Sequence, residues 1–327
     1  MEYGVGLFPI DTPQEMLRLA ERAEELGYGY LWFGDSHLIW REAYVNLGAA
    51  ALRTTKAVLG TGVTNPLTRD PAVTAAAFAT LRELAGDRVA VGIGLGDSSV
   101  ETMSRKPATL AYLERAILTM RDLMAGKRVP VKGGEMHIVY GREGRVPIYV
   151  GASGPRMLRL AGKVADGCII LVGVAPEFLA AAMAEIEKGA REAGRDLARE
   201  GFRTVCWTPC SLGEDGQAAR NFVKAHVARV LKRPLPFALG PEDQPVIQRI
   251  YAEYDYYEHM AVGTHHGDLV PDRLVEKFAI AGTAEECAEQ AARIKAAGVD
   301  QLAIIPHTPN PKDRLGVLEA FASVAMR

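Results

Sequence analysis

Residues 60–71, Gly-Thr-Gly-Val-Thr-Asn-Pro-Leu-Thr-Arg-Asp-Pro, set two glycines and two prolines among hydrogen-bonding side chains, between an apolar run and an alanine-rich stretch. A simple reversal of direction needs far less. Glycine lets a ligand come close to the main chain, and the polar side chains can hold its edge. Gly62, Val63, Thr64 and Asn65 are therefore candidate contacts for a flat cofactor. Just past the preceding apolar run stand Asp35 and His37, a carboxylate and an imidazole suited to proton transfer near neutral pH. A histidine held by backbone groups is the structural alternative. Past the next run, Gly96 and Asp97 pair a permissive backbone with a carboxylate. Asp97 can meet a ring edge or a ribityl hydroxyl, or it can cap the segment that follows.

Gly151-Ala152-Ser153-Gly154-Pro155-Arg156 opens a helix. Exposed amides at a helix start favour a phosphate, to which Ser153 can add a hydroxyl and Arg156 a charge. An ordinary helix start, with Ser153 as cap and Pro155 in the first turn, is the alternative. Alignment with three other polar strand ends favours the anion site. His265 and His266, with His259 nearby, have no acidic partner at a ligand spacing, so no metal is expected there. Tyr254, Tyr256 and Tyr257 can line a substrate pocket or pack at helical spacing.

The elements that must position these groups alternate along the chain. Strand-like runs at 3–8, 28–33, 57–60, 88–93, 147–150, 168–172, 204–212 and 301–305 are separated by helical patterns at 12–27, 43–55, 72–85, 109–126, from 155, 176–193 and 283–297. A last helical pattern covers 312–326, and 127–144 reads as a polar hairpin-like stretch. Eight strands alternating with helices predict an α/β fold, a (β/α)8 TIM barrel in one domain spanning 1–327. An open doubly wound sheet is the rival, but no glycine fingerprint follows the first strand. Residues 215–270 break the alternation with helical patterns at 218–231 and 244–259, and read as a helical insertion after strand 7 over the barrel mouth.

The 327 residues are 48% apolar and 24% charged, with a net charge of −2, which points away from nucleic acid and anionic membranes as partners. Cys168, Cys206, Cys210 and Cys287 are scattered and read as reduced core residues of a cytoplasmic protein. No signal peptide pattern and no apolar run of about 20 residues is present, so a soluble protein is expected.

Taken together, these residues resemble the bacterial luciferase-like superfamily of flavin and deazaflavin enzymes, and within it the F420-dependent methylenetetrahydromethanopterin reductase group. The blocks at 60–71, 92–97, 146–158, 160–167 and 278–283 carry the likeness, in order, over nearly the whole chain. The resemblance implies a barrel with the deazaflavin ring laid against the third-strand loop. It implies a non-prolyl cis peptide at Gly62-Val63 behind that ring, and the phosphate-bearing tail at Gly151, Ala152, Ser153 and Gly154. Homo-oligomers, dimer or tetramer, follow from the resemblance alone. In two places the chain departs from the pattern. Gly6 stands where the reductases carry a glutamate for proton transfer, and residues 35–41 differ from theirs. His37 resembles the histidine that F420-dependent dehydrogenases place near the reactive carbon.

The expected activity is hydride transfer between coenzyme F420 and a small organic substrate, with His37 in acid–base work, Asp35 supporting it and 215–270 covering the substrate. An FMN-dependent monooxygenase is the runner-up. A non-catalytic flavin-binding paralogue and, last, a metal-dependent barrel hydrolase are the other classes.

Overall fold

A computed structural model describes residues 1–258 and 261–326. The apolar runs form eight parallel strands, β1 Glu2–Leu7, β2 Tyr30–Phe33, β3 Val58–Thr61, β4 Val89–Ile93, β5 Ile148–Ala152, β6 Gly167–Ile170, β7 Arg203–Leu212 and β8 Gln301–Pro306. Each pairs with the next, and β8 closes on β1 with Val5 opposite Ile304. The sheet is thus a closed barrel, which excludes the open doubly wound alternative. A short strand, Ile280–Gly282, pairs in parallel beside the carboxyl end of β7, and an antiparallel hairpin pairs Val129–Val131 with Gly134–Met136.

Local sequence explains where the helices begin. Thr12 and Glu15 form a capping box at the start of α1 (Pro13–Glu25), and the Asp70 carboxylate accepts from the Ala72 amide at the start of α3 (Pro71–Ala85). Between them α2 (Ala43–Ala51) stops short of the expected 55. The Glu24 carboxylate draws off the amides of Thr55, Lys56 and Ala57 at 2.9, 2.6 and 2.6 Å, which pulls the chain out of the helix toward β3. The remaining main helices are α4 Leu110–Met124, α5 Pro155–Val164, α6 Pro176–Glu192, α7 Gly216–Leu231, α8 Gln244–Glu253, α9 Ala284–Ala296 and α10 Arg314–Ala325. The helix expected over 244–259 ends at Glu253, where Asp255 turns the chain by accepting from the Tyr257 amide at 2.8 Å. His259 lies outside the described residues.

Alternation along each strand divides two cores. Outward residues such as Leu31, Leu59, Val91 and Val150 pack against the helix faces. Inward residues Trp32, Tyr149, Ile169, Val205, Trp207 and Ile305 fill the barrel. Trp32 is anchored by its Nε1 donating to Gln301 Oε1 at 2.9 Å and meets Tyr149 edge-on at 5.3 Å. Cys168, Cys206, Cys210 and Cys287 are buried free thiols. Above this plug the barrel opens at the carboxyl ends of the strands.

Gly6 belongs to the same packing. A Cβ there would stand 2.7 Å from Ile305 Cγ1 and 2.8 Å from Trp207 Cη2. The indole of Trp207 occupies the space a glutamate on β1 would need. Gly6→Ala is expected to destabilise the fold by about 1–3 kcal/mol through overpacking, read as a lowered urea midpoint. An unchanged midpoint contradicts the assignment.

Candidate functional site

The loops after β2, β3, β4 and β5 lie side by side and line one cavity of about 640 Å³ at the carboxyl end of the barrel. Side-chain hydrogen bonds stitch the first three together. Thr64 Oγ1 donates to Asp35 Oδ2 at 2.7 Å and accepts from the Tyr44 hydroxyl at 3.1 Å. Ser36 and Ser98 share a 2.6 Å hydrogen bond, and Asn65 Nδ2 donates to Ser99 Oγ at 3.0 Å. The Asn65 carbonyl oxygen also accepts the amides of Leu67 and Thr68, so the third-strand loop is closed on itself. The Gly62-Val63 peptide is cis. Glycines face the cavity at 62, 94, 96, 151 and 154, which leaves the main chain open to a ligand.

Asp35, Gly62, Val63, Thr64, Asn65, Gly96, Asp97, Gly151, Ser153, Gly154 and Arg156 all line this cavity. Ala152 and His37 are not among the lining residues. Strand alternation turns Gly151 inward and Ala152 outward, where it is buried in the outer core. At Ser36 the chain makes a tight turn, its carbonyl accepting from the amides of Ile39 and Trp40 at 2.8 Å each. That turn presents Asp35, Ser36 and Trp40 to the cavity, while His37 stays half-buried outside the wall.

Burial raises the pKa of Asp35, and the Thr64 hydrogen bond partly opposes this. Asp97 has a different commitment. It accepts from Arg229 Nε at 3.1 Å, from Arg229 Nη2 and from Arg233 Nη2 at 2.7 Å. Two guanidinium groups on one carboxylate leave this wall cationic. In the same cavity, beside Pro234, α5 begins at Gly154 with no side-chain cap, so Ser153 does not fill the cap and the helix start is a candidate anion site.

Sequence reasoning missed the contribution of α7. His226 and Arg229 on α7, with Arg233 and Pro234 just past its end, all reach the cavity. Phe8, Trp40 and Trp207 form an aromatic wall, with Phe8 stacked on Trp40 at 4.4 Å. Tyr254 does not line the cavity. It packs on buried His266 at 4.4 Å, and Lys232 lies over the rings of Tyr254 and Tyr256. His265 pairs with Glu253 at 2.7 Å. Among the described residues no cluster of His, Cys, Asp and Glu could hold a metal ion, and no helix is long and apolar enough to cross a membrane.

A closed (β/α)8 barrel with one cavity built from the carboxyl ends of adjacent strands defines a barrel enzyme class. The chain belongs to the luciferase-like monooxygenase family, whose model matches residues 2–301. It is 30% identical to a 5,10-methylenetetrahydromethanopterin reductase of Methanolobus tindarius, over 97% of this chain and 98% of that one. It is 32% identical to an F420-dependent glucose-6-phosphate dehydrogenase of Nakamurella multipartita, over 81% of this chain and 82% of that one. The structure superposes on an F420-dependent secondary alcohol dehydrogenase in complex with an F420–acetone adduct, with a TM-score of 0.81, 25% identity and 100% of both chains covered.

Proposed function

We propose that this protein is an F420-dependent oxidoreductase that moves a hydride between the deazaflavin and a small organic substrate, such as a carbonyl–alcohol pair. One observation carries the reading: the loops after β2, β3 and β4 are hydrogen-bonded into one glycine-lined wall, which shares a single cavity with the uncapped helix start after β5 and with Arg229 and Arg233. The cavity volume falls in the range of sites for small molecules and cofactors. Relatives named as F420-dependent support the choice of cofactor.

In this reading Gly62, Val63, Thr64, Asn65 and Gly96 support the ring, and Gly151, Ala152 through its backbone, Ser153, Gly154 and Arg156 hold the phosphate-bearing tail. When bound, the deazaflavin supplies or accepts the hydride. The chain's own part is to fix the ring against the third-strand loop, to exclude water with Phe8, Trp40 and Trp207, and to provide protons. Asp97 acts through Arg229 and Arg233, which it holds at the cavity wall. The segment 215–270 covers the substrate, supported by His226 and Arg229 in the wall. A homo-oligomer belongs to the same reading, supported by exposed Val45, Leu52, Val73 and Leu84 on or beside the neighbouring helices α2 and α3. A cytoplasmic setting fits the four free thiols.

The test is anaerobic mixing of protein loaded with reduced F420 with acetone, or of protein loaded with oxidised F420 with an alcohol or glucose 6-phosphate, following the deazaflavin absorbance. Substrate-dependent change supports the reading, and none across a broad panel of carbonyls and alcohols contradicts it. His37 enters this chemistry less than its sequence position implied. His37→Asn is expected to leave kcat within about threefold, since a proton donor is worth ~10²–10⁴ only when it reaches the substrate. A loss of that larger size would return His37 to the mechanism.

A further inference from the structure

The eighth strand end supplies a group the proposed function leaves unused. His307 directly follows β8 and is buried. Its Nε2 lies 2.9 Å from Nδ1 of His226, which lines the cavity from α7. The His226 ring stands 6.3 Å from Phe8, within the aromatic wall that Trp40 and Trp207 complete. We propose that His226 is the proton-transfer group of this site and that His307 is the positioning residue behind it. This rests on the oxidoreductase reading given above.

Hydrogen counting on the two rings gives the direction. A neutral imidazole carries one N–H and one lone pair, so a hydrogen bond between two neutral rings uses one N–H and one lone pair. Burial, and then the charge of Arg314, push the pKa of His307 down to about 3. Arg314 is itself fixed by donating to the Phe8 carbonyl at 3.0 Å and to Asp11. An added proton therefore resides on His226, whose Nδ1–H then donates to His307 Nε2 while its Nε2 carries the transferable proton. The other charged groups facing the pair are Arg229, one turn along α7, and Asp97, which binds it. Asp35 stands on the same cavity wall.

The balance of the step is simple. In reduction of a carbonyl, hydride bonds to carbon, the C=O π pair moves to oxygen, and oxygen takes the proton from His226 Nε2. Oxidation of reduced F420 releases one hydride and one proton, so solvent returns a proton to His226 and one alcohol forms. His307 stays neutral throughout and holds the ring and its tautomer.

The experiment uses full-length protein loaded with F420. Its histidine ring nitrogens are followed by ¹⁵N NMR between pH 5 and 9, with His226→Asn and His307→Gln giving the assignments. The expected result is a His307 ring that remains neutral in one tautomer, and a hydrogen-bonded Nδ1 signal of His226 that changes in His307→Gln. With reduced F420 and acetone, His226→Asn should lower kcat by ~10²–10⁴. F420 affinity, read from quenching of deazaflavin fluorescence, should stay within twofold. His307→Gln, which keeps an acceptor, should lower kcat by about tenfold with KM unchanged and displace the pH profile. A His307 ring that titrates across this range, or a His226→Asn protein with parental turnover, overturns the proposal. If acetone is not turned over, the ring-nitrogen result alone decides. Absence of F420 binding would instead count against the cofactor assignment and leave the NMR result to judge the histidine pair.

Discussion

Asp97→Ala is expected to lower folding stability by about 3 kcal/mol at neutral pH. Asp97 is the acceptor shared by Arg229 and Arg233, whose side chains are only 9% and 22% exposed. Removing the carboxylate leaves two like charges facing each other in a partly desolvated wall. Loss of one partner from a buried ion pair typically costs about 3–5 kcal/mol, and the residual access of water here favours the lower end. Asp97→Asn keeps an acceptor without the charge and should lose roughly half as much. Urea denaturation of the three proteins checks both values. A change under about 0.5 kcal/mol for the alanine variant would mean that the arginines find other partners, and the cationic wall would lose its assigned origin.

The second large effect is an acid sensitivity set by His307. In the unfolded chain its imidazole titrates near 6.5, whereas in the barrel burial and Arg314 lower the pKa to about 3. A depressed folded-state value contributes stability that is fully present above the unfolded pKa and is lost as pH falls through the folded one. By pH 5 the loss from this group alone should reach about 2 kcal/mol. His226, bonded to His307, and Arg314 are the titratable groups nearest to it, and both remain in the comparison. Urea midpoints of the parent and His307→Gln at pH 7 and pH 5 isolate the effect. The parent should lose about 2 kcal/mol more than the variant between the two values. Parallel losses would show that His307 is protonated without cost.

The barrel was legible because each of its strands is an apolar run bounded by glycine and polar residues, and because the count reaches eight. The candidate wall was legible for a related reason. In a barrel, residues just past adjacent strands must converge, so Thr64, Asn65, Asp97 and Ser153 could be placed together before any distance was known. The convergence is direct, as Thr64 reaches Asp35 and Asn65 reaches Ser99.

What escaped was orientation and long-range pairing. Asp35, Ser36 and His37 are consecutive, and only the turn closed on the Ser36 carbonyl decides which of them face the cavity. The Ala152 side chain points away from the cavity for the same kind of reason, since one residue along a strand reverses the face. Asp97 finds its arginines 132 and 136 residues away on α7 and just past it, a pairing with no local signature. His226, Arg229 and Arg233 do share a helical spacing, and His307 does follow a strand. Neither signal says that α7 bends over the same mouth that His307 backs, since that depends on packing between segments 81 residues apart.

A cavity mouth that holds a deazaflavin with a phosphate-bearing tail must prefer F420 to FMN. Titration of the purified protein with F420 and, separately, with FMN, followed by the absorption spectrum and fluorescence of each, measures that preference. F420 is expected to bind with a saturable change in its single violet band, while FMN binds at least tenfold more weakly. Tight FMN binding with no F420 binding would overturn the deazaflavin assignment and place the protein with the flavin monooxygenases.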